Sequence, residues 1–493
     1  MILAARMTIC GTHRPIARGA TMERQYFMLV DGQAHPGATT FDVVNPALGK
    51  PFARCPKADR AILDQAVAAA KRAFPGWAAT PVDERARLLT GIADALAEKV
   101  DEFAAVLTAE QGKPLDQAAG EVKGAVNVLR TFAAMRLEPK VLRDDARQRI
   151  VEHRVPLGVV AGIMPWNFPL VLLINKLGPA LMTGNTMVAK PAPTTPLTTL
   201  MFGELCRDVL PAGVLNIICD ENDLGGALSS HPDIAKVSFT GSTATGKKVL
   251  ASTAETLKRV TLELGGNDAA IVLDDVDTKT VARKVFDGAM RNAGQVCIAT
   301  KRAYVPEAIY DDFCDELGRL ARETVVDDGT RQGAQIGPVQ NRQQYEKLTA
   351  LIADAAQSGT IVAGGEPMDG PGYFIRPTIV RDIAEDTPLV REEQFGPVLP
   401  VLKYSDIDEL LERVNDTEYG LGGTIWASDV DRASELALRV RTGTVWVNRP
   451  QGVDPRVPFR GAKQSGIGTE MGEAGFEEYT QGQVVSVSLG ELA

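Results

Sequence analysis

Between Ala58 and Leu137, alanine and leucine recur at the three-and-four spacing of amphipathic helices, in runs such as AspGlnAlaValAlaAlaAlaLysArgAlaPhe and ArgAlaArgLeuLeuThrGlyIleAlaAspAlaLeuAlaGluLys. Pro75 and the stretch Pro81 to Asp83 are expected to separate these helices. Ahead of them, GluArgGlnTyrPheMetLeuValAspGly after Met22 reads as the opening of a domain, a strand entering a turn at Asp31-Gly32. Behind them, Arg149 to Pro156, with Ile150, Val151 and Val155, predicts an extended ribbon, a candidate oligomerisation arm. From Leu157 the order changes to short apolar runs alternating with helical ones: Leu157 to Pro165, Thr186 to Lys190, Val214 to Cys219, Lys236 to Thr240 and Val260 to Leu264. That alternation predicts a mostly parallel sheet. A second set follows at Ala269 to Leu273, Arg302 to Val305, Val398 to Lys403, Gly423 to Trp426 and Val445 to Asn448. Two packed α/β lobes with a cleft between them fit this order.

The 493 residues are enough for about three domains at the usual ~150 residues each. With 45% apolar and 24% charged residues, the chain has the composition of an ordinary globular protein. Its longest apolar stretch, Leu157 to Leu173, is interrupted by Pro165, Asn167 and Pro169, so no membrane-spanning segment is expected. A net charge of -10 gives no reason to expect nucleic acid as a partner. The six cysteines are scattered without a CxxC, which fits a reducing, cytoplasmic setting better than a disulfide framework. The four histidines are unpaired in sequence, so no metal site is expected, and a cysteine nucleophile would have to work without a histidine base. Residues 1–21 carry Arg6, Arg14 and Arg18 with no acid before Glu23, a faint likeness to a transit peptide. They are read as a disordered tail or an upstream start.

Four segments can carry chemistry. PheThrGlySerThrAlaThrGlyLysLys (239–248) is a strand, a glycine turn and a helix start, which offers N–H groups to a phosphate. It matches most of a P-loop, but Lys248 stands where the Mg²⁺-binding Ser or Thr belongs, and it departs from GxGxxG. A plain strand-to-helix turn is the alternative. AsnAlaGlyGlnValCysIle (292–298) places Cys297 after a glycine turn, as a nucleophile or as a structural thiol. ThrLeuGluLeuGlyGlyAsnAsp (261–268) sets Glu263 among leucines, where a carboxylate is paired, poised as a base, or exposed on an edge strand. MetProTrpAsnPhePro (164–169) brackets Asn167 with prolines; a rigid amide there suits oxyanion stabilisation, and a stiff turn is the alternative.

Together these segments resemble the aldehyde dehydrogenase superfamily, NAD(P)-dependent enzymes that oxidise aldehydes to acids. The resemblance runs from about Tyr26 to Val485 through ProTrpAsnPhePro (165–169), LysPro (190–191), PheThrGlySerThr (239–243), LeuGluLeuGlyGly (262–266), GlyGlnValCys (294–297), GluGluGlnPheGlyProVal (392–398) and ProPheArgGlyAlaLysGlnSerGlyIleGly (458–468). It implies two Rossmann-like α/β lobes and a small β ribbon: a cofactor domain over 22–140 and 158–265, a catalytic domain over 266–460, and a ribbon over 141–157 and 480–493 that pairs subunits into homodimers or homotetramers. It implies Cys297 as nucleophile, Glu263 as general base, and Asn167 with the Cys297 N–H as oxyanion donors. Lys190, Gly241, Ser242, Gly246, Glu393, Phe395 and Trp166 are the implied cofactor contacts, and Phe168, Leu170, Val296, Ile298 and Phe459 the implied walls of an apolar substrate tunnel.

Two departures qualify this. Pro193 stands three residues after Lys190, where NAD-preferring relatives often carry a Glu, so NAD is expected with NADP still open. The loop 448–461 carries Arg449, Arg456 and Arg460, the last where a glycine is usual. Arg449 or Arg456 is a candidate receptor for a substrate carboxylate; arginines at a subunit contact are the alternative. The functional expectation is hydrolytic aldehyde oxidation through a thiohemiacetal and a thioester. A CoA-acylating semialdehyde dehydrogenase and a retired binding protein on the same fold are the competing readings. Glu263, needed to activate water and dispensable when CoA is the acceptor, favours hydrolysis.

Overall fold

The computed structural model describes residues 24–490, so the tail predicted at 1–21 and the last residues of the predicted ribbon lie outside it. The first set of apolar runs forms the centre of an eight-stranded sheet, in which Arg259–Glu263, Ile234–Thr240, Val159–Ile163, Thr186–Lys190 and Leu215–Ile217 lie parallel and side by side. Val159–Ile163 and Thr186–Lys190 are buried throughout, which is why they read as continuous apolar runs rather than alternating ones. Antiparallel strands close both edges: Met28–Val30 with Gln33–His35 on one side, Gly466–Ile467 on the other. The predicted turn joins the first two of these, with Asp31 and Gly32 both at positive φ (52° and 73°), as a two-residue hairpin requires.

The second set builds a seven-stranded sheet in the order Thr360–Ala363, Thr378–Arg381, Val398–Tyr404, Arg302–Pro306, Ala269–Val272, Gly422–Trp426, Thr444–Val447, parallel except for the first. Alternate residues of its central strand feed separate cores: Ala269 and Ile271 on one face, Ala270 and Val272 on the other. Period-two side-chain alternation therefore makes this sheet the middle layer of a sandwich of helices.

The helical region resolves into Arg60–Ala79, Val82–Ala97, Val100–Gln111 and Leu115–Ala134. Pro75 does not divide helices as expected; Arg60–Ala79 runs through it. The carbonyl that loses its partner belongs to Lys71, on the solvent side, while buried Trp77 anchors the last turn by donating its indole N–H to Leu181 O at 3.0 Å. The ribbon is three-stranded, Lys140–Asp144, Gln148–Pro156 and Thr480–Ser488, with the middle strand paired to both others. No helix among the described residues is long and apolar enough to cross a membrane.

After the second sheet, the chain returns to the first through Gly466–Ile467, which pairs with Leu262 and Glu263. The C-terminal ends of the first sheet's strands therefore meet the loops that enter the second sheet. In open α/β sheets that is where ligands bind.

Candidate active site

Cys297 sits on a loop held by an unusual backbone. Asn292, Ala293 and Gly294 are all left-handed (φ 51°, 54° and 70°), and a Cβ on Gly294 would come within 2.1 Å of Gly396 O. Such conformations cost energy and persist where the surroundings fix them. Buried Lys301 does so here, donating to the carbonyls of Val296 (2.8 Å) and Cys297 (2.7 Å). The loop's carbonyls are thereby drawn to one side. The Cys297 N–H has no protein acceptor among the described residues.

Asn167 reaches the same loop from the first sheet. Its Nδ2 donates one hydrogen to Gln295 O at 3.0 Å, leaving its second N–H free. Its own carbonyl accepts from Lys113 Nζ (3.0 Å) and Asn292 Nδ2 (3.2 Å), so backbone and side chain are both fixed. The stiff-turn and oxyanion readings of this segment are thus compatible: the turn is rigid and leaves one amide donor unspent.

Glu263 ends its strand buried, at 5% exposure, which removes the exposed edge-strand alternative. Its Oε1 has no hydrogen-bond partner. Burial first, then the charge of Glu470, pushes its carboxyl up to about 8, with Lys176 and the neighbouring Cys297 thiol acting against the shift. Cys297 keeps part of its surface open, yet desolvation and Glu263 hold its thiol well above the usual range while Lys301 opposes them. Each group depends on the other's proton.

On the other side of the loop, Glu393 accepts from Gly266 N–H (2.9 Å) and lies 3.7 Å from Lys301 Nζ. Its Oε2 makes no hydrogen bond among the described residues, and a Cβ on Gly265 would come within 2.4 Å of it, so the double glycine keeps this carboxylate open. Phe395, itself left-handed at φ 54°, meets Trp166 edge-on at 5.3 Å. Lys190 ends its strand in a buried pair with Asp220 (2.6 Å), whose second oxygen accepts from Leu224 N–H at 2.8 Å. Ser242 caps the helix Thr243–Ser252 by accepting from the N–H of Thr245. Added side chains on Gly241 and Gly246 would strike the ends of Phe239 and Leu264 at 2.5 Å, so both glycines are packed closely against side chains.

A cavity of about 720 Å³ begins at Phe168, beside Asn167. Leu170, expected on its wall, is fully buried in the core; Val171, one helical step around, lines the cavity instead. Val296, Ile298 and Phe459 pack into the apolar cluster against which Cys297 rests. From the arginine loop, Val453 and Pro455 reach the cavity, not Arg449 or Arg456. Arg456 is turned onto Asp454, through Nε at 3.0 Å and Nη2 at 2.9 Å, and stays exposed. A receptor role for these two therefore finds no support in their placement. The sequence reading missed Lys301, Lys176 and Glu470. Lys176 and Glu470 pair at 2.7 Å behind Glu263, with Thr240 also bound to the ammonium. The one available signal was a lysine within the apolar run Leu170 to Met182.

A buried carboxylate, a partly open thiol and a spare amide donor lie at the junction of the two α/β sheets. The family model "Aldehyde dehydrogenase family" matches residues 33–485, and the chain belongs to that family. Aldehyde dehydrogenase LUC3 of a Fusarium species is 39% identical, the match covering 93% of this chain and 97% of that protein. The chloroplastic betaine aldehyde dehydrogenase of Beta vulgaris is 40% identical over 89% of this chain and 91% of its own length. An aldehyde dehydrogenase from Bacillus cereus, solved as an NAD+ complex, superposes with a TM-score of 0.93 at 34% identity, covering 96% of this chain and 98% of that one.

Proposed function

We propose that the protein oxidises an aldehyde to its carboxylic acid through a covalent acyl-cysteine intermediate, with hydrolysis as the final step. The observation that carries this reading is the convergence of Cys297, the spare amide N–H of Asn167 and the unpartnered oxygen of Glu263 on one loop. Cys297 releases its proton to solvent through its open face and its sulfur adds to the aldehyde carbon. The oxyanion that forms is held by Asn167 Nδ2 and the Cys297 N–H. Bound NAD(P) supplies the hydride acceptor that turns this adduct into a thioester. Glu263 then takes a proton from water as the water attacks the thioester carbon, and the acid leaves with the sulfur returned to thiol.

Glu393, with its free oxygen, fits ribose hydroxyls, and Phe395 with Trp166 fits the flat face of a nicotinamide. Lys190 and the turn Gly241, Ser242, Gly246 would hold the adenosine ribose and the pyrophosphate. NAD is the favoured cofactor, because the segment LysProAlaProThrThrPro that begins at Lys190 holds no arginine to receive a 2′-phosphate. We assign 22–140 and 158–265 to the cofactor domain and 266–460 to the catalytic domain. The ribbon over 141–157 and 480–493 serves as a subunit contact in a homodimer or homotetramer. Exposed Val141, Leu142, Val484, Val485 and Val487 on its outer strands support that role, because unpaired apolar edges are costly to leave in water. A cytoplasmic location fits the reduced cysteines.

The test is absorbance of NADH and NADPH formed from an aldehyde panel, with Cys297→Ala as control and intact-protein mass spectrometry to trap the acyl-enzyme. Loss of turnover and of the acyl mass in the variant supports the mechanism. Turnover that survives the substitution overturns it, and turnover that requires CoA assigns the acylating reaction instead.

A further inference from the structure

Between the helices Val100–Gln111 and Leu115–Ala134 the chain turns a corner at Gly112, left-handed at φ 98°, and buries Lys113 directly after it. The ammonium meets Glu121 of the second helix at 2.5 Å, and both side chains are 1% exposed. Taking both charges out of water is costly, and an apolar pair of the same volume often serves stability as well. The contacts of the pair show what it holds instead. Lys113 donates to Asn167 O at 3.0 Å, and its ammonium stands over the Phe168 ring, 3.8 Å from the centroid. The other oxygen of Glu121 accepts from the N–H groups of Leu170 (3.1 Å) and Val171 (3.3 Å). Those two groups open the helix Pro169–Met182, which Phe168 precedes without supplying a side-chain cap. Pro169 itself has no N–H to hold. One buried ion pair thus grips the backbone or ring of each residue from Asn167 to Val171 except Pro169.

We propose that Lys113 and Glu121 are positioning residues for the oxyanion step: the pair sets where the spare N–H of Asn167 points, and thiol addition depends on that direction. This deepens the reaction proposed above and rests on it for the role of Asn167. Of the Asn167 amide only Nδ2 is held, by Gln295 O, while Oδ1 has no partner among the described residues. The direction of its second N–H therefore follows from where the Asn167 backbone sits. Two donors hold that backbone, Lys113 Nζ and Asn292 Nδ2, and Asn292 belongs to the Cys297 loop itself. Lys113 is the tie to the helical layer behind. Glu121 serves twice, aiming the ammonium and capping the helix that the oxyanion turn enters. Burial holds the Lys113 ammonium below its ordinary range, and the charge of Glu121 is the largest influence acting against it. The corner is fixed from its far side as well, where Leu115 N–H donates to Gly329 O at 3.0 Å. An apolar side chain at 113 would leave Asn167 O with one donor and one oxygen of Glu121 with none. A small shift of an oxyanion donor costs rate rather than affinity, so a kcat loss of about 10- to 100-fold is expected, below that of deleting the amide.

The test measures kcat and KM on a neutral aldehyde, NADH binding by fluorescence, and the rate at which iodoacetamide alkylates Cys297. It compares the wild type with Lys113→Met and with the double variant Lys113→Met, Glu121→Gln. The double variant removes both charges yet keeps an acceptor for Leu170 and Val171, so it guards against misfolding around a lone buried carboxylate. Both variants should lose about 10- to 100-fold in kcat while KM stays within about threefold. Alkylation displaces iodide and forms no oxyanion, so its rate should stay within about twofold, as should NADH affinity. In an Asn167→Ala background, Lys113→Met should cost less than about twofold further, because the group it positions is gone. A kcat within twofold of the wild type in both variants overturns the proposal. So does a loss of the same size when the Asn167 amide is already absent, or alkylation and NADH binding that fall in step with kcat. Wild-type protein that oxidises no aldehyde removes the reaction and this proposal together, whereas an active enzyme indifferent to Lys113 removes this proposal alone.

Discussion

Glu263 should set the pH dependence of turnover. Its carboxyl is pushed up to about 8 by burial. At that value about one molecule in ten carries the base form at pH 7, half at pH 8, and about nine in ten at pH 9. If activation of water limits the cycle, kcat rises about tenfold between pH 7 and pH 9 and then levels. Cys297 is also raised, so the first chemical step gains with pH as well, and the two must be separated. Stopped-flow absorbance does this: the first-turnover burst of NADH reports thioester formation, and the later linear phase reports hydrolysis. Glu263→Gln keeps the shape of the side chain and removes the base. It should cut the linear phase by about 10²- to 10⁴-fold, cut the burst less, and let the acyl-enzyme accumulate. A Glu263→Gln protein that retains more than a tenth of the wild-type linear rate at pH 9 would refute the assignment. So would a wild-type linear phase flat from pH 6 to 9 while acyl-enzyme builds up.

Asn167→Ala should lower kcat by about 10²- to 10³-fold with a smaller change in KM, measured on any good aldehyde, because its free N–H matters only once the oxyanion forms. Stability should fall as pH rises. Glu110, Glu263 and Asp268 are raised to about 7, 8 and 7, so between their unfolded values and these the folded chain keeps protons that the unfolded chain has lost. Urea unfolding at pH 5.5 and 9 should show the drop, and Glu263→Gln should remove up to about 3 kcal/mol of it, having no hydrogen bond at Oε1 to lose. Asp220→Asn should weaken NADH and NADPH binding to a similar extent, read from fluorescence titration of the bound dinucleotides, because Asp220 holds Lys190 in place; unchanged affinity for both would remove that role.

The parallel strands were legible because burial on both faces leaves an uninterrupted apolar run, and each one predicted was found within a few residues of its place. The hairpin Thr39–Asn45 and Lys50–Lys57 and the strands Thr360–Ala363 and Thr378–Arg381 were not foreseen. The hairpin lies in a sheet of its own and Thr360–Ala363 at an edge, and exposed positions weaken their pattern, while Thr378–Arg381 is flanked on both sides but runs for only four residues. The residues with reacting atoms stood out because each is chemically odd in its setting: a glutamate among leucines, an asparagine between prolines, a cysteine after a glycine turn. Lys301, Lys176 and Glu470 did not, since a lysine or glutamate is ordinary until its partners are known. Lys301 acts on carbonyls adjacent in sequence, but only the left-handed run of Asn292 to Gly294 brings those carbonyls to its ammonium. The partners of the arginines were hidden for a related reason: a charge count along the chain does not reveal that Asp454 takes Arg456, or that Arg291 has no ion pair among the described residues.

The site's dependence on two sheets has a physical reason. Adding a thiol to a carbonyl needs an oxyanion donor on one side of the reacting carbon and a base for the later attack on another, each fixed to within a fraction of an ångström. A single loop cannot hold both, because a loop that carries the nucleophile has its carbonyls to satisfy as well. Here the first sheet supplies Asn167 and Glu263 from strand ends, and the second supplies the Cys297 loop with Lys301 beneath it. The bond from Asn167 Nδ2 to Gln295 O ties the two together, and Gln295 in turn accepts from Gln340 N–H at 2.8 Å and donates to Asn292 O at 2.9 Å. Among the described residues, one N–H of Asn167, the N–H of Cys297 and one oxygen of Glu263, the set that the proposed chemistry uses, are left unpaired there, together with the amide oxygens of Asn167 and Asn292.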